Sequence, residues 1–205
     1  MAKKNASAAG QVRIIGGQWR GRKLPVPDSP GLRPTTDRIR ETLFNWLAPV
    51  IAQSRCLDCF AGSGALGLEA LSRYAAHATL LEMERGIARK LTENLQLLKT
   101  DQAQVVNANT LHWLEQAGQP FDIVFVDPPF RRGLLDNTLR LLEQNNWLAP
   151  DAWIYVESEA ENQALTVPDS WLLHREKVAG QAACRLYIRQ MPDTSADEKE
   201  SRNVD

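Results

Sequence analysis

The sequence predicts an α/β protein: a mostly parallel seven-stranded sheet, helices on both of its faces, a C-terminal antiparallel hairpin and a small N-terminal β-ribbon extension. Three observations carry that expectation. Short apolar runs alternate with amphipathic ones from Thr36 to Glu157, the signature of repeated βα units. The run Phe121–Val126 is short, apolar and rich in β-branched and aromatic residues, as a strand buried on both faces of a parallel sheet must be. After Pro168 the runs Trp171–Glu176 and Ala183–Arg189 are joined by Val178-Ala179-Gly180-Gln181 with no helix between them, which reads as a hairpin.

A chain of 205 residues and 23.0 kDa can bury one sizeable core with a small appendage. Its hydrophobic fraction of 43% and charged fraction of 24% are those of a soluble globular protein. No apolar run approaches the ~20 residues of a membrane span. Lys3 and Lys4 are followed by no apolar stretch of a secretory signal, so a cytoplasmic protein is expected. The three cysteines form no disulfide framework. Cys56-Leu57-Asp58-Cys59 spells C-x-x-C, but on an apolar strand. There is no second pair, and His77, His112 and His174 lie far apart, so no metal site is expected.

The net charge of −1 conceals an asymmetry. Residues 1–40 carry Lys3, Lys4, Arg13, Arg20, Arg22, Lys23, Arg33, Arg38 and Arg40 against only Asp28 and Asp37. A basic arm on an acidic body points to a local contact with a polyanion, the alternative being a solvated leader.

Taken in order, residues 1–10 are small and polar, and disorder is expected there. Val12–Ile15 and Gln18–Leu24 read as two short strands about a Gly16-Gly17 turn. Trp19 among basic residues suits a ribbon that meets phosphates and bases, or one packed on the main domain. Pro25 to Pro34 is a proline-rich connection. Thr36 or Asp37 then caps a helix running to about Ala48, with Ile39, Leu43, Trp46 and Leu47 on one stripe. Arg38, Arg40 and Glu41 stand at its entry, facing the space above the sheet. Strands follow at Arg55–Cys59, Ala78–Glu82, Ala103–Asn107, Phe121–Val126 and Ala152–Glu157. Helices near Ala65–Ala75, Ile87–Lys99, Thr110–Ala117 and Leu134–Asn146 separate them. The acidic tail from Pro192 is expected to be disordered. This divides the chain into an arm (1–34), a main domain (35–190) and a tail (191–205).

Two stretches carry chemistry. Asp58-Cys59-Phe60-Ala61-Gly62-Ser63-Gly64-Ala65-Leu66-Gly67 leaves the first main strand and opens a helix. Gly62 and Gly64 allow a sharp turn and close approach to a ligand. Gly62 to Gly67 fits G-x-G-x-x-G, and Glu82 lies 20 residues after Gly62, so the glycines alone leave a nicotinamide-dependent enzyme open. Asp58 weighs against it, because a carboxylate beside the helix N-terminus repels a pyrophosphate. The same carboxylate attracts a ligand bearing an ammonium or sulfonium, and S-adenosylmethionine carries both. Glu82 can accept two ribose hydroxyls, and the Asn109 amide can pair with the edge of adenine.

The second stretch, Asp127-Pro128-Pro129-Phe130, ends the strand Phe121–Val126 with two residues that have no N–H to donate. It presents a carboxylate, backbone carbonyls and an aromatic ring at the carboxyl end of a central strand, where open α/β sheets bind ligands. Acceptors of this kind suit an –NH₂ group, and Phe130 can stack on the flat ring that bears it. The bland alternative is a strand stop with an Asp capping the next helix.

With these residues the chain resembles class I methyltransferases, and more closely the RsmD family of 16S rRNA guanine-N2 methyltransferases. The resemblance spans nearly all of residues 11–190. It rests on Arg13-Ile14-Ile15-Gly16-Gly17-Gln18-Trp19-Arg20-Gly21, Arg33-Pro34-Thr35-Thr36-Asp37-Arg38, Asp58 to Gly67 and Asp127 to Phe130. The glycine motif is generic and the tetrapeptide is shared with adenine-N6 DNA methyltransferases, so the N-terminal segment with Arg-Pro-Thr is the narrow signal. The resemblance implies a Rossmann-like seven-stranded methyltransferase sheet and methylation of the exocyclic N2 of guanine 966. It implies S-adenosylmethionine held by Asp58, Phe60, Gly62, Gly64, Glu82, Met83, Asn109 and Thr110, and a target amine held by Asp127, Pro128, Pro129 and Phe130. The family often has an acidic residue where Asn109 stands. RNA contacts are expected from Arg13, Arg20, Arg22, Lys23, Arg33 and Arg38, with 16S rRNA in the 30S subunit or its assembly intermediate as partner, and a monomer as the working form. Three other readings stay open: an adenine-N6 DNA methyltransferase, an NAD-dependent oxidoreductase and a non-catalytic RNA-binding assembly factor.

Overall fold

In the computed structural model, residues 10–29, Leu32, 35–162 and 165–191 are described. Arg33, Pro34 and the stretches 1–9 and 192–205, with the disorder expected of the two ends, lie outside the described residues. The arm supplies β1 (Gln11–Arg13) and β2 (Lys23–Pro25), followed by α1 (Asp37–Leu47). The alternating region supplies β3 (Arg55–Asp58), α2 (Ala65–Ser72), β4 (His77–Glu82), α3 (Arg85–Leu97), β5 (Ala103–Asn107), α4 (Thr110–Leu114), β6 (Phe121–Val126) and α5 (Leu135–Gln144). It is completed by β7 (Leu148–Glu159), β8 (Trp171–Ala179) and β9 (Ala182–Arg189).

The large sheet has the order β5-β4-β3-β6-β7-β9-β8. The first five of these strands are parallel, and β9 pairs antiparallel with both β7 and β8. The chain winds outward from β3 to β5, then crosses back to lay β6 on the other side of β3. That reversal opens a crevice at the carboxyl ends of β3 and β6, the place where open α/β sheets take ligands. The register sets Asp58 beside Phe125, so the glycine turn and Asp127 leave the sheet as neighbours, about one strand spacing of 4.8 Å apart.

Alternation along the strands divides the interior into two layers. Cys56, Ile123, Phe125 and Tyr155 pack under α1, α2 and α3, while Leu57, Val124, Val126 and Val156 pack against the layer of α4 and α5. The Thr36 hydroxyl accepts from the Ile39 N–H and caps α1, whose Leu43, Phe44 and Leu47 are buried. No helix among the described residues is long and apolar enough to cross a membrane.

Several expectations change. The segment Gln18–Leu24 is not one strand: Gly17–Trp19 forms a 3-10 turn, and β2 begins only at Lys23. Gly17 has φ +77°, and a Cβ there would lie 1.9 Å from the Ser72 carbonyl oxygen, so the turn is pressed against the end of α2. Ile14 and Leu24 are fully buried and Trp19 packs on the same core, which makes the ribbon part of the main body's interior. Helix α2 stops at Ser72, earlier than expected, and Tyr74 adopts φ +71° just beyond it. Strand β7 begins four residues before Ala152. Its pairing with β6 shifts between Phe121 and Ile123, an irregularity that tolerates Pro150.

Arg40 is the largest departure. It does not face the space above the sheet but is buried to 1% exposure, Nη2 lying 2.7 Å from Asp37 and Nη1 3.7 Å from Glu69. Glu69 is itself completely buried. It accepts the Ile15 and Gly16 N–H groups and the Arg73 Nε–H, each at 2.9 Å. One internal carboxylate thus fastens the arm, α1 and the end of α2 together.

Candidate active site

The glycine turn is anchored on both sides. Cys59 N–H donates to the Phe125 carbonyl of β6 and Ala61 N–H to the Leu81 carbonyl of β4. Gly62 N–H donates to Glu82 Oε2 at 2.9 Å, and Glu82 Oε1 accepts the Glu84 N–H at 2.9 Å. Glu82 therefore holds the turn from the end of β4 while each oxygen keeps a second lone pair for another donor. Gly62 and Gly64 have φ of +52° and +81°, which is why the turn needs glycine. At Gly64 a Cβ would strike Leu91 and Leu68, so its smallness serves helix packing more than the expected approach of a ligand. Among the described residues, a Cβ at Gly62 would meet only Leu32, at 3.4 Å, which brings the connection between ribbon and α1 across the turn.

Asp58 is buried, and burial pushes its carboxyl up to about 7 from an ordinary 3.8, with the neighbouring Glu82 charge adding to the rise. The Gly67 and Phe60 amides pull the other way; Gly67 N–H donates to Oδ2 at 3.2 Å. Among the described residues, the buried Oδ1 has no partner within strict hydrogen-bond geometry. An unsatisfied acceptor beneath the turn fits a cationic amine. The pyrophosphate of a dinucleotide would find Gly67 N–H, at the start of α2, and Gly62 N–H already donated to carboxylates, so the residues fit S-adenosylmethionine better.

The remaining residues assigned to the methyl donor line up from β4 to α4. Met83 is exposed, and Asn109 Nδ2 lies 3.7 Å from its sulfur. Asn109 also caps α4, its Oδ1 accepting the His112 N–H at 3.2 Å, so its amide is shared between helix and site. The Thr110 hydroxyl donates to the Cys59 carbonyl, tying α4 to the far end of β3. Phe60 is half-buried against the second core layer. Cys56 and Cys59 are buried, and burial pushes the Cys56 thiol up to about 12, which leaves it inert.

Asp127 stands half-buried at the end of β6, where the Thr35 hydroxyl reaches its Oδ2 at 3.4 Å. Thr35, from the Arg-Pro-Thr stretch, thus meets the tetrapeptide across the fold, a contact that sequence separation hides. Pro128, Pro129 and Phe130 border a cavity of about 110 Å³ that runs to Leu135 and to Glu157, Ser158 and Glu159 at the end of β7. The loop after Phe130 is fixed by Arg131, whose N–H donates to Glu159 Oε1 at 2.6 Å and whose φ is +60°. Arg131 and Arg132 are exposed at this mouth. Two adjacent basic residues directly after the tetrapeptide were legible in the sequence as a positive rim to this corner.

The basic arm divides. Arg38 is exposed on the first turn of α1, and Arg13 pairs with Asp37 at 3.0 Å. Arg22 Nη2 donates to the Leu97 carbonyl at the end of α3, which lies at the amino ends of the strands. Arg22, and Arg20 next to the Trp19–Ser72 contact, therefore lie at the opposite end of the sheet from Asp127, while Lys23 is in register with Arg13 and Arg33 lies outside the described residues. Among the described residues no group of His, Cys, Asp and Glu could hold a metal ion.

Residues 12–188 match the family model described as Conserved hypothetical protein 95. The Ribosomal RNA small subunit methyltransferase D of Escherichia coli (strain K12) is 70% identical over 190 residues, covering 93% of this chain and 96% of that protein. Its counterpart in Haemophilus influenzae is 55% identical over 185 residues, covering 88% and 95%. Among solved structures, the candidate methyltransferase yhhF of Escherichia coli superposes with a TM-score of 0.84 at 68% identity, covering 88% of this chain and 99% of that one.

Proposed function

The chain belongs to the Conserved hypothetical protein 95 (RsmD) family of rRNA small-subunit methyltransferases, and from that premise we propose that it methylates the exocyclic N2 of guanine 966 in 16S rRNA. The observation that carries this reading is the placement of Asp127 and the Pro128 carbonyl one strand from the glycine turn, at the reversal of the sheet. Because Asp58, Glu82 and Asp127 all come from one chain, a monomer suffices. Its place of work is the cytoplasm, where 30S subunits and their assembly intermediates are found.

S-adenosylmethionine, when bound, supplies a methyl group already activated by a positively charged sulfur. Asp58 receives the ammonium of that donor and Glu82 the ribose hydroxyls, with Met83, Asn109 and Thr110 beside the adenine. The chain's remaining task is to aim a poor nucleophile, since the lone pair of a guanine amine is delocalised into the ring. Asp127 and the Pro128 carbonyl accept its two N–H bonds and turn the lone pair out of the ring plane. Phe130 stacks on the base once it has left its helix. As the N–C bond forms and the S–C bond breaks, the amine must lose one proton, and the carboxylate already accepting that N–H is the nearest base. Such alignment can supply about 7–11 kcal/mol of the barrier reduction, so positioning dominates.

The test is to incubate labelled methyl donor with naked 16S rRNA and with 30S particles lacking the modification, then map the label. Label on N2 of guanine 966 supports the reading, and the better substrate identifies the working partner. Label on an adenine, or none on either RNA, would overturn it.

A further inference from the structure

We propose that Glu157 accepts the N1–H of the target guanine and thereby makes the site selective for guanine over other purines that bear an exocyclic amine. The inference rests on the target-base role assigned above to Asp127 and Phe130.

Strands β6 and β7 run parallel, with Val126 beside Val156, so Asp127, the first residue past β6, stands level with Glu157, which is still within β7 and paired with Cys184 of β9. Side chains two residues apart share a face. Phe125 and Tyr155 lie in one core layer, and Asp127 and Glu157 continue that face toward the rim. Glu157 is 8% exposed and borders the cavity that Pro128 and Phe130 also line. Its Oε2 accepts the Tyr155 hydroxyl at 3.1 Å, which fixes the carboxylate's direction from below. Tyr155 is itself buried, and burial together with the Glu157 and Asp127 charges keeps it a neutral hydroxyl that can go on donating. A base stacked on Phe130 with its N2 at Asp127 lays its Watson–Crick edge along the ends of these two strands.

The chemistry of that edge decides the specificity. Guanine offers N1–H next to its N2 amine, so two neighbouring donors face two neighbouring carboxylates. Adenine offers a bare N1 next to its amine, and a lone pair against a carboxylate is repelled. A carboxylate oxygen that meets a lone pair where the correct base brings a donor makes such a site reject the wrong base far more strongly than shape alone would.

The experiment compares small-subunit rRNA assembled with guanine or with 2-aminopurine at the target nucleotide. The analogue keeps the N2 amine but has no N1–H. It also lacks O6, a difference that is common to wild type and variant and therefore cancels in the ratio. Wild type should prefer guanine, and Glu157→Gln should shrink that preference on the order of tenfold or more, with unchanged affinity for the methyl donor. An identical preference in wild type and variant would overturn the inference and show that Asp127 reads both donors alone. Should the variant not fold, the wild type decides: equal rates on the two RNAs overturn the inference as well. Failure of wild type to methylate even the guanine RNA is a different result, since it removes the reading of the function on which this one stands.

Discussion

The Gly16-Gly17 clasp and the Asp127–Phe130 corner are both short, motif-like stretches, and they dispose of their polar groups in opposite ways. At the clasp, the Ile15 and Gly16 N–H groups end on Glu69, the Trp19 N–H ends on Ser72, and Gln18 donates to the Leu71 carbonyl. At the corner, two prolines remove donors, and acceptors gather around a cavity. The difference teaches that a family-specific motif need not be a site. The clasp spends its hydrogen bonds on holding the arm to α2, while the corner sets carboxylates and prolines along the rim of a cavity.

The largest effect expected from attacking this contrast is at Glu69. Glu69→Ala leaves Arg40 and Arg73 without their shared carboxylate and two amides without an acceptor inside the core, a loss of about 3–5 kcal/mol. Urea unfolding should show it as a lowered midpoint, while the folded fraction binds the methyl donor normally. Gly17→Ala should cost less, about 1–3 kcal/mol, through the clash with the Ser72 carbonyl and the positive φ. An Ala variant with the unfolding midpoint of wild type would show that the clasp is not a structural lock.

Asp58 sharpens the other side of the comparison through pH. Its folded value of about 7 stands above the ordinary 3.8. Between those values the folded carboxyl keeps a proton that the unfolded chain has lost. The contribution to stability is therefore full below about 4 and lost as pH rises through about 7. The unliganded protein should weaken across that window in urea titrations at fixed pH. Donor affinity should rise over the upper part of it, because the ammonium calls for the ionised form, and binding below pH 7 should release a proton measurable by calorimetry. Asp58→Asn should flatten both profiles and weaken donor binding. A wild-type affinity independent of pH between 6 and 8 would contradict the role given to Oδ1.

The smallest expected effect separates two groups of arginines. Replacing Arg131 and Arg132 by Ala should lower the salt slope of RNA binding by about one per lost phosphate contact. Replacing Arg20 and Arg22, at the far end of the sheet, should lower it less. Equal slopes for the two variants would place the RNA over both ends of the molecule.

Much of this architecture was readable in the residues. Strand β5 begins and ends where its apolar run does, β6 where its flanking prolines put it, and of Thr36 and Asp37 it is Thr36 that caps α1. These are local signals. What the sequence concealed is long-range: Thr35 meets Asp127 across 92 residues, and Glu69 meets Gly16 across 53. Arg40 read as a surface residue because a charge on a helix is usually solvated. Its burial depends on a carboxylate from another helix, which no periodicity reveals. Glu157 was hidden for a related reason, since only the register of β7 against β6 sets it beside Asp127.

The most direct test of the account is single-turnover methyl transfer by Asp127→Ala with donor and RNA both saturating. Donor and RNA affinities should stay close to wild type, the unfolding midpoint should not change, and the transfer rate should fall by roughly a hundredfold to a thousandfold. A rate near that of wild type would contradict the account, because the carboxylate at the end of β6 would then have no part in aiming the amine.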